Sequence, residues 1–377
     1  MVANLVHERD WPYALRIVHL PGGLRAVSPA GEREVFLHAT IPGERPAPHL
    51  AFEIGSYGAL YKSLYALGLA PLAVDFYDHD LQAQGLEPPH CRHFFRTRDR
   101  GIWPSANAAQ KWSEIRHVAA HELDDFHLAD LCGRIAFELR ASVIKYMDIS
   151  QHYHQCLHAC VLKGGVKSGS RFSDGNTFLV FLGIHSFMAE IATLRDYLAE
   201  FTANYVLRNE LALRDDEYIA KMSSLGGRIR RNAPRHPLAE RLRDAVDEEK
   251  QGWLATMSAY RDLILHHSPV GMVDAWNEMT QSVAELADGK QLPSLAFFLP
   301  RDPFSAKRGR AKGSPIKTLD EFIAISMRSE PDGRIEALLY CHEALGQLAV
   351  LALELAEASP VRAKEIRLGP KDILRVE

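Results

Sequence analysis

Residues 177–211, TFLVFLGIHSFMAEIATLRDYLAEFTANYVLRNEL, carry apolar side chains at three- and four-residue spacings along their whole length. That period lines them up on one stripe of an α-helix. A long helix with an apolar stripe has to bury it against other helices, so this segment commits the C-terminal part of the chain to a helical bundle. Residues 107–165 have the same periodicity and end at Gly164-Gly165, a helix stop. Residues 237–267 read as a further helix. It is stopped by Ser268-Pro269, because the residue before a proline avoids the α region. The last periodic segment is 333–360.

The first third reads differently. YALRIVHL, REVFLHATI and PLAVDFYD have strand-like composition, with Pro-Gly-Gly and Pro-Ala-Gly turns nearby, and SYGALYKSLYALG reads as a helix. Residues 82–107, with their prolines and clustered charges, read as a long connection, which puts a boundary near residue 105. Residues 290–334 read as an insert containing proline and basic residues. The expected class is therefore α+β: a small N-terminal mixed α/β region over 1–105, then a predominantly helical domain over 106–377. A length of 377 residues agrees with two domains.

Composition narrows the function. With 47% hydrophobic and 24% charged residues the chain reads as soluble and globular. Its apolar runs look shorter than the roughly 18 residues of a membrane span, so no membrane partner is expected. The opening MVANLVHERDW has no basic segment followed by a long apolar core, so no signal peptide is expected. Five scattered cysteines, Cys91, Cys132, Cys156, Cys160 and Cys341, read as reduced thiols in a cytoplasm. A net charge of −4 gives no global attraction for nucleic acid, so any contact with phosphate must come from local clusters.

The stretch SAYRDLILHHSPVG, residues 258–271, concentrates the chemistry. Trp253, Met257, Tyr260 and Ile264 form one helical stripe, and His267 falls on it, the position of a packed histidine. His266 lies off the stripe, one turn after Asp262. An Asp–His pair at i,i+4 can hydrogen-bond, which orients the imidazole, raises its pKa and suits it to general acid or base work. Arg261 is five residues from His266, about 140° away round an ideal helix. Either the helix frays at its stop, or a second subunit completes the site.

An arginine, a polar residue, and a histidine four to six residues after the arginine resembles the signature of the HEPN superfamily. RDLILHH supplies it with Arg261, Asp262 and His266 or His267. The spacing Arg-x4-His occurs at Arg33–His38, Arg116–His121, Arg231–His236 and Arg261–His266. The first lies in a strand-like segment and the third contains Pro234. RHVAAH, with Arg116 and His121, is helical and is the rival to the fourth. The resemblance covers about residues 170–360. It implies an all-helical bundle and metal-independent RNase activity of the toxin–antitoxin or antiviral-defence kind. It also implies a homodimer in which two motifs meet.

Two basic clusters flank this helix. Residues 228–243 include Arg228, Arg230 and Arg231, and residues 301–317 include Lys307, Arg308, Arg310 and Lys312. On flexible loops such side chains can follow an RNA backbone without reading its sequence. The pairs His117/His121 and His154/His158 sit at i,i+4 and could hold a metal if Asp124, Asp148 or Cys156 came near. The leading expectation is a cytoplasmic, dimeric endoribonuclease that binds RNA and uses no cofactor or metal, with a regulatory protein partner allowed for. In it His266 moves a proton, Arg261 stabilises charge on the phosphate and Asp262 orients His266. The alternatives are a non-catalytic module binding RNA, nucleotide or a partner, and a metalloenzyme built on the histidine-rich helices 117–158.

Overall fold

The computed structural model describes residues 14–29, 32–40, 49–267, 278–300, 302–311, 318, 320 and 335–364. Among these described residues helix makes up 54% and strand 15%, and the strands gather mostly at the N-terminus, so the class is α+β as expected. Strands β1 (Ala14–His19), β2 (Arg25–Pro29), β3 (Glu34–His38), β4 (Leu50–Glu53), β5 (Ala73–Phe76) and β6 (His90–His93) form one sheet in the order β4-β3-β2-β1-β5-β6. Every neighbouring pair is antiparallel. Strand β6 falls inside the segment that the sequence suggested was only a connection. Helix α1 (Tyr57–Ala66) is capped by the Ser56 side chain, and a short helix, α2 (Asp80–Ala83), precedes β6.

The helical part begins at Pro104. Residues 107–165 do not form one helix but two, α3 (Pro104–His121) and α4 (Phe126–Leu162). Asp124 breaks them apart with a left-handed φ of 53°, and Asp125 restarts the chain by capping α4. Strand β7 (Arg171–Phe172) leads into α5 (Gly175–Phe201), which Asp174 and Thr177 open with a reciprocal capping box. Helix α6 (Met222–Asn232) follows.

The segment 237–267 is likewise split, into α7 (Pro237–Ala245) and α8 (Trp253–Asp262). The break is a packing effect. Gln251 has φ 51°, and a side chain at Gly252 would begin 2.2 Å from the Asp244 carbonyl oxygen. The segment after α8 contains regular elements among its described residues. It holds β8 (Met279–Glu285), β9 (Gln291–Ala296), β10 (Phe298–Leu299) and α9 (Pro303–Ala311). Strands β7, β8 and β9 form a second sheet, and β10 pairs with β11 (Ile335–Glu336) just before α10 (Ala337–Glu357).

Helix α4 is the spine. It packs along α3 on one side and α5 on the other, and α10 packs against all three. Trp112 is fully buried and donates its indole N–H to the Ala352 carbonyl, tying α3 to α10. One apolar core runs from Val18 in the sheet to Val361 beyond α10. Contrary to the run-length reading, α5 with its continuation and α10 each hold an 18-residue window apolar enough for a membrane span. Half of the first window and 61% of the second are buried inside the fold.

The sheet is fixed to α4 by polar contacts. His19 bonds Ser150 Oγ through Nδ1 at 2.8 Å and Asp75 Oδ2 through Nε2 at 3.0 Å. Arg25 donates to Gln151, and His154 Nδ1 donates to the Gly23 carbonyl. Burial holds His19 below its ordinary pKa despite Asp75 beside it. Nε2 donates to the Asp75 carboxylate, and a neutral imidazole would accept from the Ser150 hydroxyl at Nδ1.

Candidate functional site

Helix α8 is held in rotation by its apolar stripe. Met257 and Tyr260 are fully buried and Ile264 nearly so, while Trp253 is half-buried at the edge. The Tyr260 hydroxyl donates to the Pro300 carbonyl, and its ring meets Tyr340 of α10 at 4.7 Å. With that face fixed, Arg261 and Asp262 are left half-buried at the rim.

Beyond Asp262 the winding changes. Leu263–His267 is a π-helical turn, with hydrogen bonds to the fifth residue along rather than the fourth. A π-helical turn winds less per residue than an α-helix, so the separation of about 140° for a straight α-helix does not carry over to residues 261 and 266. The side chains of His266 and His267 lie outside the described residues.

Among the described residues the Asp262 carboxylate has two cationic partners. Arg261 donates to Oδ1 at 3.0 Å and Lys307 of α9 to Oδ2 at 2.6 Å. Burial works against its ionisation, but the hydrogen bonds and charges of Lys307 and Arg261 hold its pKa below the ordinary value. Asp302 accepts from the Ser305 backbone N–H in the first turn of α9. One catalytic candidate and one member of the second basic cluster thus share a carboxylate, and the three side chains together carry a net positive charge. Arg308 is exposed on α9. The Arg310 side chain and Lys312 lie outside the described residues.

The first cluster is helical, not a loop. Arg228 lies on α6 and is taken up by Glu217, and Arg231 turns back to the Gly227 carbonyl. Arg230 is exposed on the same helix.

The rival motif is also on the surface. Arg116 on α3 lies along Gly133 of α4, where a Cβ would come within 3.2 Å of its Cδ and Nε. Among the described residues it makes no hydrogen bond or ion pair. It lines a cleft of about 330 Å³ with Asp130, Arg134, Phe137 and Tyr197. His117 and His121 are exposed with rings 4.6 Å apart. No group of three metal-ligating side chains comes together among the described residues.

Ser150, His19 and Asp75 form a serine–histidine–aspartate chain that the sequence did not signal, because its members come from α4, β1 and β5. They are 2%, 1% and 8% exposed, so a substrate carbonyl has no approach. The arrangement is a clamp between sheet and helix.

No protein-family model, no curated protein and no solved structure matches this chain.

Proposed function

We propose that the chain is a metal-independent endoribonuclease of the toxin or antiviral-defence type, acting on RNA in the cytoplasm. The observation that supports this best is the meeting of Arg261 and Lys307 on Asp262. Two cations on one partly exposed carboxylate make a local positive site on a chain whose net charge is negative. A phosphodiester entering there competes with Asp262 for both cations. The planar Arg261 guanidinium can pair with two phosphate oxygens as charge builds on them. His266, in the π-helical turn that follows Asp262, is the group to move the proton between the ribose 2′-hydroxyl and the leaving oxygen. Asp262 then positions Arg261 and Lys307 as well as His266.

A second reading places the chemistry at Arg116 and His121, favoured by the unengaged Arg116 guanidinium at its cleft. Cleavage of a fluorescent RNA panel by wild type, Arg261→Ala, His266→Ala and His121→Ala separates the two. Loss in the first two variants alone supports the α8 site, and loss in His121→Ala alone moves the chemistry to α3. Binding without cleavage by the wild type makes the protein an RNA-binding module. Inhibition by EDTA favours the metalloenzyme reading instead.

A further inference from the structure

Helix α4 exposes large apolar side chains on its outer face, between its flanking neighbours α3 and α5. Phe137 is 64% and Ile144 56% exposed, seven residues apart and therefore on one stripe, with Ala141 between them. On α5, Phe178 and Leu182 are 53% and 45% exposed. Glu190 lies beside Glu138, and Ile149 beside Gly183. These two contacts set α5 antiparallel to α4. Clustered exposure of this kind marks a contact surface rather than ordinary surface scatter.

The charges bordering the stripe have an order that names the occupant. Reading along α4 they are Arg134, Glu138, Lys145 and Asp148, positive, negative, positive, negative, while the exposed Arg140 turns aside to Ser113 Oγ on α3. Ala141 is the midpoint. Arg134 and Asp148 lie seven residues either side of it, Glu138 and Lys145 three and four. A second α4 laid antiparallel across Ala141 puts Arg134 opposite Asp148, Glu138 opposite Lys145 and Phe137 opposite Ile144. Each of these contacts occurs twice. A parallel arrangement puts every charge against its own copy and is repulsive at all four positions.

Two features of the single chain fit such a partner. Glu138 is buried, and its Oε2 has no hydrogen-bond partner. Burial and the neighbouring Glu190 push its carboxyl up to about 7, and neither acid has an ion pair among the described residues. Lys145 is held only loosely, 3.8 Å from Asp148. Its long stem can carry the ammonium across to that acid pair. The small side chain at Ala141 lets two helices approach to about 8–10 Å. The stripe from Arg134 to Asp148 is about 21 Å long.

We propose that the outer face of α4 and α5 binds a second copy of this chain, the two α4 helices running antiparallel about a two-fold axis at Ala141. This does not depend on the RNA reading. It also places the interface on α4 rather than at the end of α8.

The test is the oligomeric state of the full chain by sedimentation equilibrium at micromolar concentration. Wild type is expected to be a dimer. The double variant Lys145→Glu/Asp148→Lys keeps the net charge and the pair within α4 but sets like charges against Glu138 and Arg134 of the second copy. It should weaken the dimer at least about tenfold. Ile144→Glu should do the same. Both sites are exposed or half-exposed in the single chain, so unchanged circular dichroism and melting will show that the fold persists. Ala141→Cys should cross-link to its own copy under a mild thiol oxidant, since residues on the axis come within disulfide reach. The native background is low, as four of the five cysteines are buried. A monomeric wild type overturns the proposal. So does a dimer that survives the double variant and gives no cross-link at Ala141→Cys.

Discussion

Lys307 Nζ lies 2.6 Å from Oδ2 of Asp262, a residue 45 positions earlier in the chain. Removing that ammonium leaves Asp262, among the described residues, to Arg261, which ties the arginine more firmly to its own neighbour. Lys307→Ala should therefore weaken RNA binding and reduce the salt slope by roughly 0.7 for a single strand. Because the pair is partly exposed, the loss of stability should stay below about 1 kcal/mol. Extending the change to Arg308, Arg310 and Lys312 should deepen the loss. Filter binding over a salt series measures it, and an unchanged slope would remove this cluster from the RNA surface.

His266→Ala should lower the rate of RNA cleavage by about 10²–10⁴-fold, the usual cost of losing a proton-transfer group. Arg261→Ala should lose activity as well, through lost charge stabilisation. His267→Ala, at the position that a straight α-helical period puts on the apolar stripe, should chiefly lower the melting temperature. Initial rates and melts on the same preparations distinguish these. A His267→Ala enzyme that is stable but inactive would exchange the roles of the two histidines.

Acid should destabilise the fold before carboxylates titrate fully. His93 Nε2 and His342 Nδ1 lie 2.9 Å apart, so one ring donates and the other accepts, which requires at least one neutral imidazole. Burial lowers His342 to about 4, and His38 also to about 4; burial and then His342 lower His93. In the unfolded chain these groups protonate near 6.5. The stability they contribute is complete above pH 6.5 and is lost as pH falls from there toward 4, by up to about 1.4 kcal/mol per pH unit for each histidine. Thermal melts between pH 8 and 4.5 should show a falling limb that His342→Gln flattens. Identical limbs in the two proteins would contradict this account.

Gly23→Ala and Gly101→Ala form a matched pair. Both glycines have positive φ, 85° and 75°. A Cβ at Gly23 would sit 2.7 Å from the Tyr153 carbonyl oxygen, whereas one at Gly101 meets nothing within 4 Å. Gly101→Ala should cost about 1 kcal/mol, the backbone strain alone. Gly23→Ala should cost at least about 2 kcal/mol, because it also pushes the sheet off α4. Equal losses in urea unfolding would mean that the turn yields without disturbing the helix.

Helices α5 and α10 were legible in the sequence because their apolar period runs unbroken for several turns. The split between α7 and α8 was not. Residues 246–252 include good helix formers, and the break comes from a backbone at Gln251 and Gly252 that only packing enforces. Strands β6 and β9 were hidden too. HCRH sits among prolines and charges, and QLPSLA contains Pro293, so neither has the plain alternation that marks a strand. At the candidate site, Arg261 and Asp262 could be found as a string. Their contact with Lys307 could not, because the intervening residues carry no sign of the approach. The palindromic order of charge on α4 was in the sequence throughout. It acquired meaning only once Phe137 and Ile144 proved to be exposed.

The clamp between His19 and Ser150 spans 131 residues. A chain emerging from the ribosome releases β1 and β2 first, yet their partners on α4 follow only after the whole first sheet and α3 have been made. Gly22 also packs against Ser294 of β9, which is made later still. Closing such distant contacts carries a loop-entropy cost that local helix formation does not. The helices can therefore assemble early, while the strands synthesised first lock into place among the last. Until then, the buried faces of β1 and β2 are the part of the newborn protein most exposed to chaperones and to other chains.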